Sequence, residues 1–309
     1  KLSMLANFFG KSNPANFIVI FSIFLGLFLA KSISSISIIT VNLVVEQVSI
    51  LALFLLMFLF YNFILSKNKL TLYNSYGLLL FVLFFGFYPE TMSNRNEVFL
   101  NVLLLVFLRR VYSIRSGKDV YKKIFDSGFW LGILFLLAPT TVIFGILMFL
   151  SIGLFQKINI RTLLIPCLGF LAPIFCYATY CFWFDHTEEF TTLFLWYADY
   201  DFELYTTKPI LFSSLLLGAF TIISIVLKTP KVLSISGSYR KYWILIIFNL
   251  IIAITVLIIQ KTHDGSQIIL LFFPVSIIIT NWLESIKKPF LKNIFIALLL
   301  ITPVIIFIV

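Results

Sequence analysis

The stretch YPETMSNRNEVFLNVLLLVFLRRVYSIRSGKDVYKK, Tyr88–Lys123, decides the fold. It opens on a polar loop with Glu90, Arg95 and Glu97. It runs through an apolar segment, Val98–Leu108, that contains Asn101, and closes on Arg109, Arg110, Arg115, Lys118, Lys122 and Lys123. Acid before an apolar segment and base after it orients a membrane chain, because short basic loops stay on the cytoplasmic side.

The composition agrees. The chain has 309 residues, 61% of them hydrophobic and 12% charged, with mean hydropathy +1.07. Soluble domains carry roughly twice that charged fraction, so this is not one. At about 20 residues per crossing, the length holds ten or eleven helices and leaves no room for a sizeable soluble domain. The 37 Phe residues then read as ordinary lipid-facing helix surface. The net charge of +10 sits in short loops, which sets topology and excludes nucleic-acid binding.

Apolar segments fall at about 17–30, 47–65, 73–88, 97–108, 127–138, 140–155, 162–184, 209–227, 242–260, 267–283 and 293–309. The reading is an all-α, polytopic integral membrane helix bundle with about 11 membrane segments, forming a single membrane domain over 1–309. When the loops alternate sides, every basic residue except Lys31, Arg95, Lys208 and Lys261 falls on one side. That side is cytoplasmic, which puts the amino terminus inside and the carboxy terminus outside. Every acid except Asp119, Asp126 and Glu284 lies on the outer side. Insertion does not demand that bias, so it points to work at the outer face.

Two places resist a simple count. Val98–Leu108 and Gly128–Ala138 are each only about 16 Å long as helices, half of a hydrocarbon core. The region 127–155, broken at Ala138-Pro139-Thr140-Thr141, reads either as two thin crossings or as a re-entrant hairpin. Thr140 and Thr141 either satisfy carbonyls freed by the proline or cap the second half. The outer loop 185–208 is expected to carry a short interfacial helix over Phe190–Tyr197, with Trp196 and Tyr197 at headgroup level. The start, before the run at 17–30, lacks a cleavage pattern and reads as preceding a retained first helix.

Familiar soluble-enzyme motifs are absent: no phosphate loop, no dinucleotide fingerprint, no HExxH and no GxSxG. Cys167, Cys176 and Cys181 have no metal-like spacing. His186 and His263 are the only histidines, which excludes any site needing three. The outer carboxylates are better candidates. Glu46 and Glu90 lie at the ends of neighbouring helices and suit a general base plus an acid that orients a phosphate or a divalent metal ion. They read equally as solvated helix-end acids, and Glu97 more so, at a helix amino terminus. Arg95 and Lys208 are outer cations suited to a phosphate or to anchoring in headgroups. Lys261–Ser266 is a tight turn in which His263 and Asp264 either form a proton-handling pair or are simple turn residues. The basic run 109–123 contacts anionic lipid headgroups, or a protein partner.

Four stretches, ANFFGKSNPANF (6–17), LLVFLRRVYSIRSGK (104–118), IFDSGFWLGILFLLAPT (124–140) and DGSQIILLFFPVSIIITNWLE (264–284), resemble a family of uncharacterised bacterial inner-membrane proteins, a domain of unknown function found in the Bacteroidetes. The resemblance implies a multi-pass inner-membrane location and no activity. In layout the chain is also similar to multi-span, GT-C-like glycosyltransferases that use polyprenyl-phosphate sugars, with Glu46 in the first outer loop and Glu90 in the second. It departs from them in having a single Glu where they carry an Asp or an acid pair. That similarity implies a polyprenyl-phosphate-linked donor at the outer face, with Glu46 and Glu90 catalytic; beside them, the residue chemistry makes Arg95, Lys208, His263 and Asp264 the candidates for binding substrate or phosphate. The competing readings are a non-catalytic subunit or scaffold with a cell-envelope protein partner, and a transporter; sparse mid-span charge counts against the last.

Overall fold

The computed structural model describes residues 4–35, 40–156, 158–195, 203–235, 237–260 and 264–308. Among the described residues thirteen α-helices follow in chain order: α1 Met4–Phe9, α2 Pro14–Ser35, α3 Val41–Asn68, α4 Tyr76–Phe87, α5 Arg95–Ser113, α6 Val120–Leu137, α7 Phe144–Phe155, α8 Ile160–Trp183, α9 Thr187–Thr192, α10 Lys208–Leu233, α11 Ser238–Ile259, α12 Ile269–Ser285 and α13 Pro289–Ile308. Short 3-10 turns join several of them, and no strand occurs among the described residues. Seven helices, α2, α3, α8, α10, α11, α12 and α13, are long and apolar enough to cross a membrane; α4 and α7 are apolar but shorter. The protein is a multi-pass membrane protein built from helices, as only helices and closed barrels satisfy their backbone in lipid.

Polar residues lengthen the two short segments. The apolar run 98–108 lies within the 19 residues of α5, about 28 Å of helix. The run 128–138 lies within the 18 residues of α6. Where α6 ends, Thr141 N–H and Oγ1 both donate to Ala138 O, at 3.0 and 2.7 Å. The threonine thus caps the 3-10 turn Pro139–Ile143 that opens after Ala138, and not the carbonyl of Phe135 that the proline leaves without its helical donor. In the outer loop the described helix is α9, earlier than 190–197, and Trp196 and Tyr197 lie outside the described residues.

The described chain divides into two compact units. The first comprises Lys1–Val98, Asp201–Arg240 and His263–Val309. Its centre is α4 and α12: every residue of α4 is buried, and so is 94% of the α12 span. The lipid-sized helices α2, α3, α10 and α13 surround them, and only 17–33% of those spans is buried. The expectation that Phe is mainly helix surface fails here. Phe24, Phe54, Phe58, Phe81, Phe85 and Phe272 form one interior cluster. Its rings meet edge to face, as in Phe24–Phe58 at 4.7 Å and Phe85–Phe272 at 4.9 Å, the arrangement favoured by the ring quadrupole. Tyr61 stacks on Phe81 and bonds Ser276 Oγ at 2.7 Å and Gly77 O at 3.1 Å.

The second unit, Phe99–Tyr200 and Lys241–Thr262, is organised by the pair α6 and α8. Gly128 and Gly132 on α6 and Gly169 on α8 let the two backbones approach so closely that a Cβ on Gly128 would stand 2.0 Å from Pro166 O, and one on Gly169 2.3 Å from Phe125 O. This is the small-residue contact by which helices associate in lipid. Arg110 pairs with Asp126 at 3.0 Å. Ser151 Oγ donates to Val111 O at 2.8 Å and Tyr242 Oη to Tyr112 O at 3.1 Å.

Candidate functional site

The acids that come together lie in the first unit, where the 3-10 turn Pro89–Met92 meets the 3-10 turn Ser266–Ile268. Two sequence features build it. Asn94 caps α5: its Oδ1 accepts from Asn96 N–H at 3.1 Å and Glu97 N–H at 3.3 Å, the work of an N-cap residue. Gly265 turns the other loop at φ 81°, a conformation cheap only for glycine. An added Cβ there would lie 3.2 Å from Leu204 and 3.7 Å from Glu90.

Asn94 then ties the loops together. Its Nδ2 donates to Asp264 Oδ2 at 2.9 Å and reaches Ser266 Oγ at 3.2 Å. Asp264 Oδ1 also accepts from Ser266 N–H at 2.9 Å and Ser266 Oγ at 2.5 Å. Burial pushes the Asp264 carboxyl upward, but the bonds from Ser266, Asn94 and Gln267 outweigh it and hold the group below its ordinary value. It stays ionised.

Glu97 does the opposite. It stands in the polar first turn of α5, outside the seven membrane-length helices. Its Oε2 is buried with no hydrogen-bond partner. Burial first, and the charge of Asp264 second, raise it from 4.5 to about 7. Tyr205, in the 3-10 turn Glu203–Thr206, completes the cluster. Burial, then Asp264 and Glu97, push its hydroxyl up to about 12. Two carboxylates with titrations driven apart are the pattern that separates an acid from a base at one site.

The other expected residues are distributed as follows. Glu90 is half exposed, and its Oε1 accepts from Lys31 Nζ at 2.9 Å. Its neighbour across the turn is Gly265, so it borders the cluster. Arg95 and Lys208, at the starts of α5 and α10, are exposed, and among the described residues neither has an acidic partner within ion-pair distance. Glu46 is exposed on the second turn of α3; no hydrogen bond or ion pair joins it to Glu90. His263 lies outside the described residues. His186 forms an exposed contact with Glu189 at 3.2 Å. Among the described residues, no three metal-binding side chains gather to hold the expected divalent ion.

Sequence reasoning undervalued Glu97. A signal was there: Asn94 three residues before Glu97 is a helix-start pattern, and it fixes Glu97 in the first turn rather than in a solvated loop. That this turn would meet Asp264, far along the chain, had no signal.

No curated protein and no solved structure shows a significant match to the chain. A family model does, over residues 12–309. With nearly the whole sequence matched, the chain belongs to the family of unknown function DUF6427.

Proposed function

We propose that this protein is a membrane enzyme that transfers a sugar or similar group from a polyprenyl-phosphate-linked donor at the outer face of a bacterial cytoplasmic membrane, in cell-envelope synthesis. The orientation rests on the loop charges, with the amino terminus inside. The observation that carries the chemistry is Glu97, a carboxyl titrating at about 7 beside the ionised Asp264. A general base works best when its titration lies near the operating pH. In the ionised form Glu97 takes the proton of the acceptor hydroxyl. The hydroxyl oxygen bonds to the anomeric carbon as the bond to the lipid phosphate breaks, and the phosphate leaves as an anion. Lys31, Arg95 and Lys208 supply the cations such a leaving group needs. Glu90 holds Lys31 in place, through the 2.9 Å pair. Glu46, exposed and unconnected to this cluster, has the weaker claim to a catalytic role.

The test is mass spectrometry of lipid-linked intermediates in cells lacking the protein. Accumulation of a polyprenyl-phosphate sugar is expected, cleared by the native chain and not by Glu97→Gln or Asp264→Asn. Loss of a general base costs about 10²–10⁴ in rate. If no such lipid accumulates, or if both variants clear it fully, the enzyme reading fails. The non-catalytic envelope subunit then takes its place, to be sought as a stable partner in mild detergent.

A further inference from the structure

The other end of α12 carries a second built site. From the turn at Ser266 to Glu284 the helix spans about 25 Å, so this site lies far from Asp264. A cavity of about 880 Å³ opens beside Glu284, Asn281 and Ser285. A second, of about 820 Å³, lies on the other side of the loop Leu72–Asn74. Among the described residues Glu284 is the only acid on either wall, against Lys69 and Lys228 in the first cavity and Lys11, Lys287 and Lys292 in the second.

Glu284 is already committed to the protein. Its Oε1 accepts from Leu72 N–H at 2.9 Å and Asn74 Nδ2 at 2.6 Å, and so pins the loop that divides the cavities. The lysines of the first cavity are placed by structure. Lys228 Nζ donates to Ser285 Oγ at 2.7 Å. Lys69 ends α3 at φ 53°, a left-handed position that glycine fills most easily. The chain holds a cation there, on the cavity wall. Non-glycine residues in such conformations concentrate at functional sites. The rest of the wall is mixed: Asn62 and Thr71 offer polar groups, and Phe17 and Leu78 an apolar side.

A held ammonium group at Lys228, a second lysine fixed at its backbone, polar neighbours and an apolar wall at the end of a membrane helix define one ligand chemistry. We propose that the cavity beside Lys69 and Lys228 binds a phosphate ester, and on the orientation expected from loop charge it does so at the cytoplasmic face. Lysine binds phosphate as a point charge, and anionic phosphate headgroups are the prevailing anions at that surface.

The experiment is native mass spectrometry of the full chain released from mixed micelles containing phosphatidylglycerol or phosphatidylcholine, with calorimetric titration of glycerol 3-phosphate as the soluble arm. Retention of phosphatidylglycerol over phosphatidylcholine is expected, falling at least fivefold in Lys69→Gln and in Lys228→Gln and unchanged in Arg161→Gln, an exposed basic residue at the start of α8 and off both cavities. Binding of glycerol 3-phosphate with the same two losses supports the site and assigns it to a soluble ester. No preference for either phosphate probe, or an equal loss in Arg161→Gln, overturns the proposal. Lys69 is exposed, so its variant tests the idea even where Lys228→Gln disturbs folding.

Discussion

Replacing Glu97 by Gln should make the protein more stable at pH 8 and leave it nearly unchanged at pH 4. Glu97 titrates at about 7 in the folded chain against 4.5 ordinarily. Between those values the unfolded chain has released the proton and the folded chain still holds it. Stability therefore falls as pH rises through that window. Below 4.5 both states are protonated and nothing is lost. Above 7 both are ionised and the full cost stands, about 3 kcal/mol at 1.36 kcal/mol per pKa unit. Glutamine keeps the shape and cannot ionise, so the cost disappears. The assay is thermal unfolding of native and Glu97→Gln protein in one detergent at pH 4, 5, 6, 7 and 8. The two curves should nearly coincide at pH 4 and separate steadily up to pH 7, with the variant melting higher by several degrees at pH 8. Infrared spectra of the native protein should show a protonated carboxyl band at pH 5.5 that disappears near pH 7 and is absent from the variant. Parallel melting curves from pH 5 to 8, or a band already gone at pH 5.5, would refute the buried-carboxyl account. Asp264→Asn should lower the titration of Glu97 without restoring 4.5, because burial is the larger cause and Asp264 the second.

Asn94→Ala removes the cap of α5 and the tie to Asp264, and should cost about 1–2 kcal/mol in micelle unfolding. Gly128→Ala places a Cβ 2.0 Å from Pro166 O, and should cost about 1–3 kcal/mol or more; Gly218→Ala, with nothing within 4 Å, should stabilise α10 by up to about 1 kcal/mol. Melting temperatures of the pair decide whether α6 and α8 touch at their backbones. In a background without Cys167, Cys176 and Cys181, Glu90→Cys should react with an impermeant maleimide added to intact cells and Lys69→Cys should not; the reverse would overturn the orientation.

Hydropathy alone established the membrane class, and seven helices among the described residues are long and apolar enough to cross. Burial could not be read the same way. A residue facing lipid and one facing the protein interior are equally apolar, so the pattern that separates core from surface in a water-soluble helix is missing here. Phe24 and Phe85 in the core look in sequence like Phe175 and Phe182 at the surface. The same limit applied to the acids. Glu46, Glu90 and Glu97 are each a carboxylate at a helix end, and nothing local separates them. What separates them is which loop each one meets. The tertiary structure buries Glu97 against Asp264 through Asn94, pairs Glu90 with Lys31 and leaves Glu46 exposed. Asp264 was singled out in the sequence only with His263 beside it; its partners proved to be Asn94 and Ser266. The sequence determined that this chain lives in a membrane and where its charges fall. Only the fold decided which of those charges share an environment, because a carboxylate's chemistry is set by burial and by neighbours that lie far away along the chain.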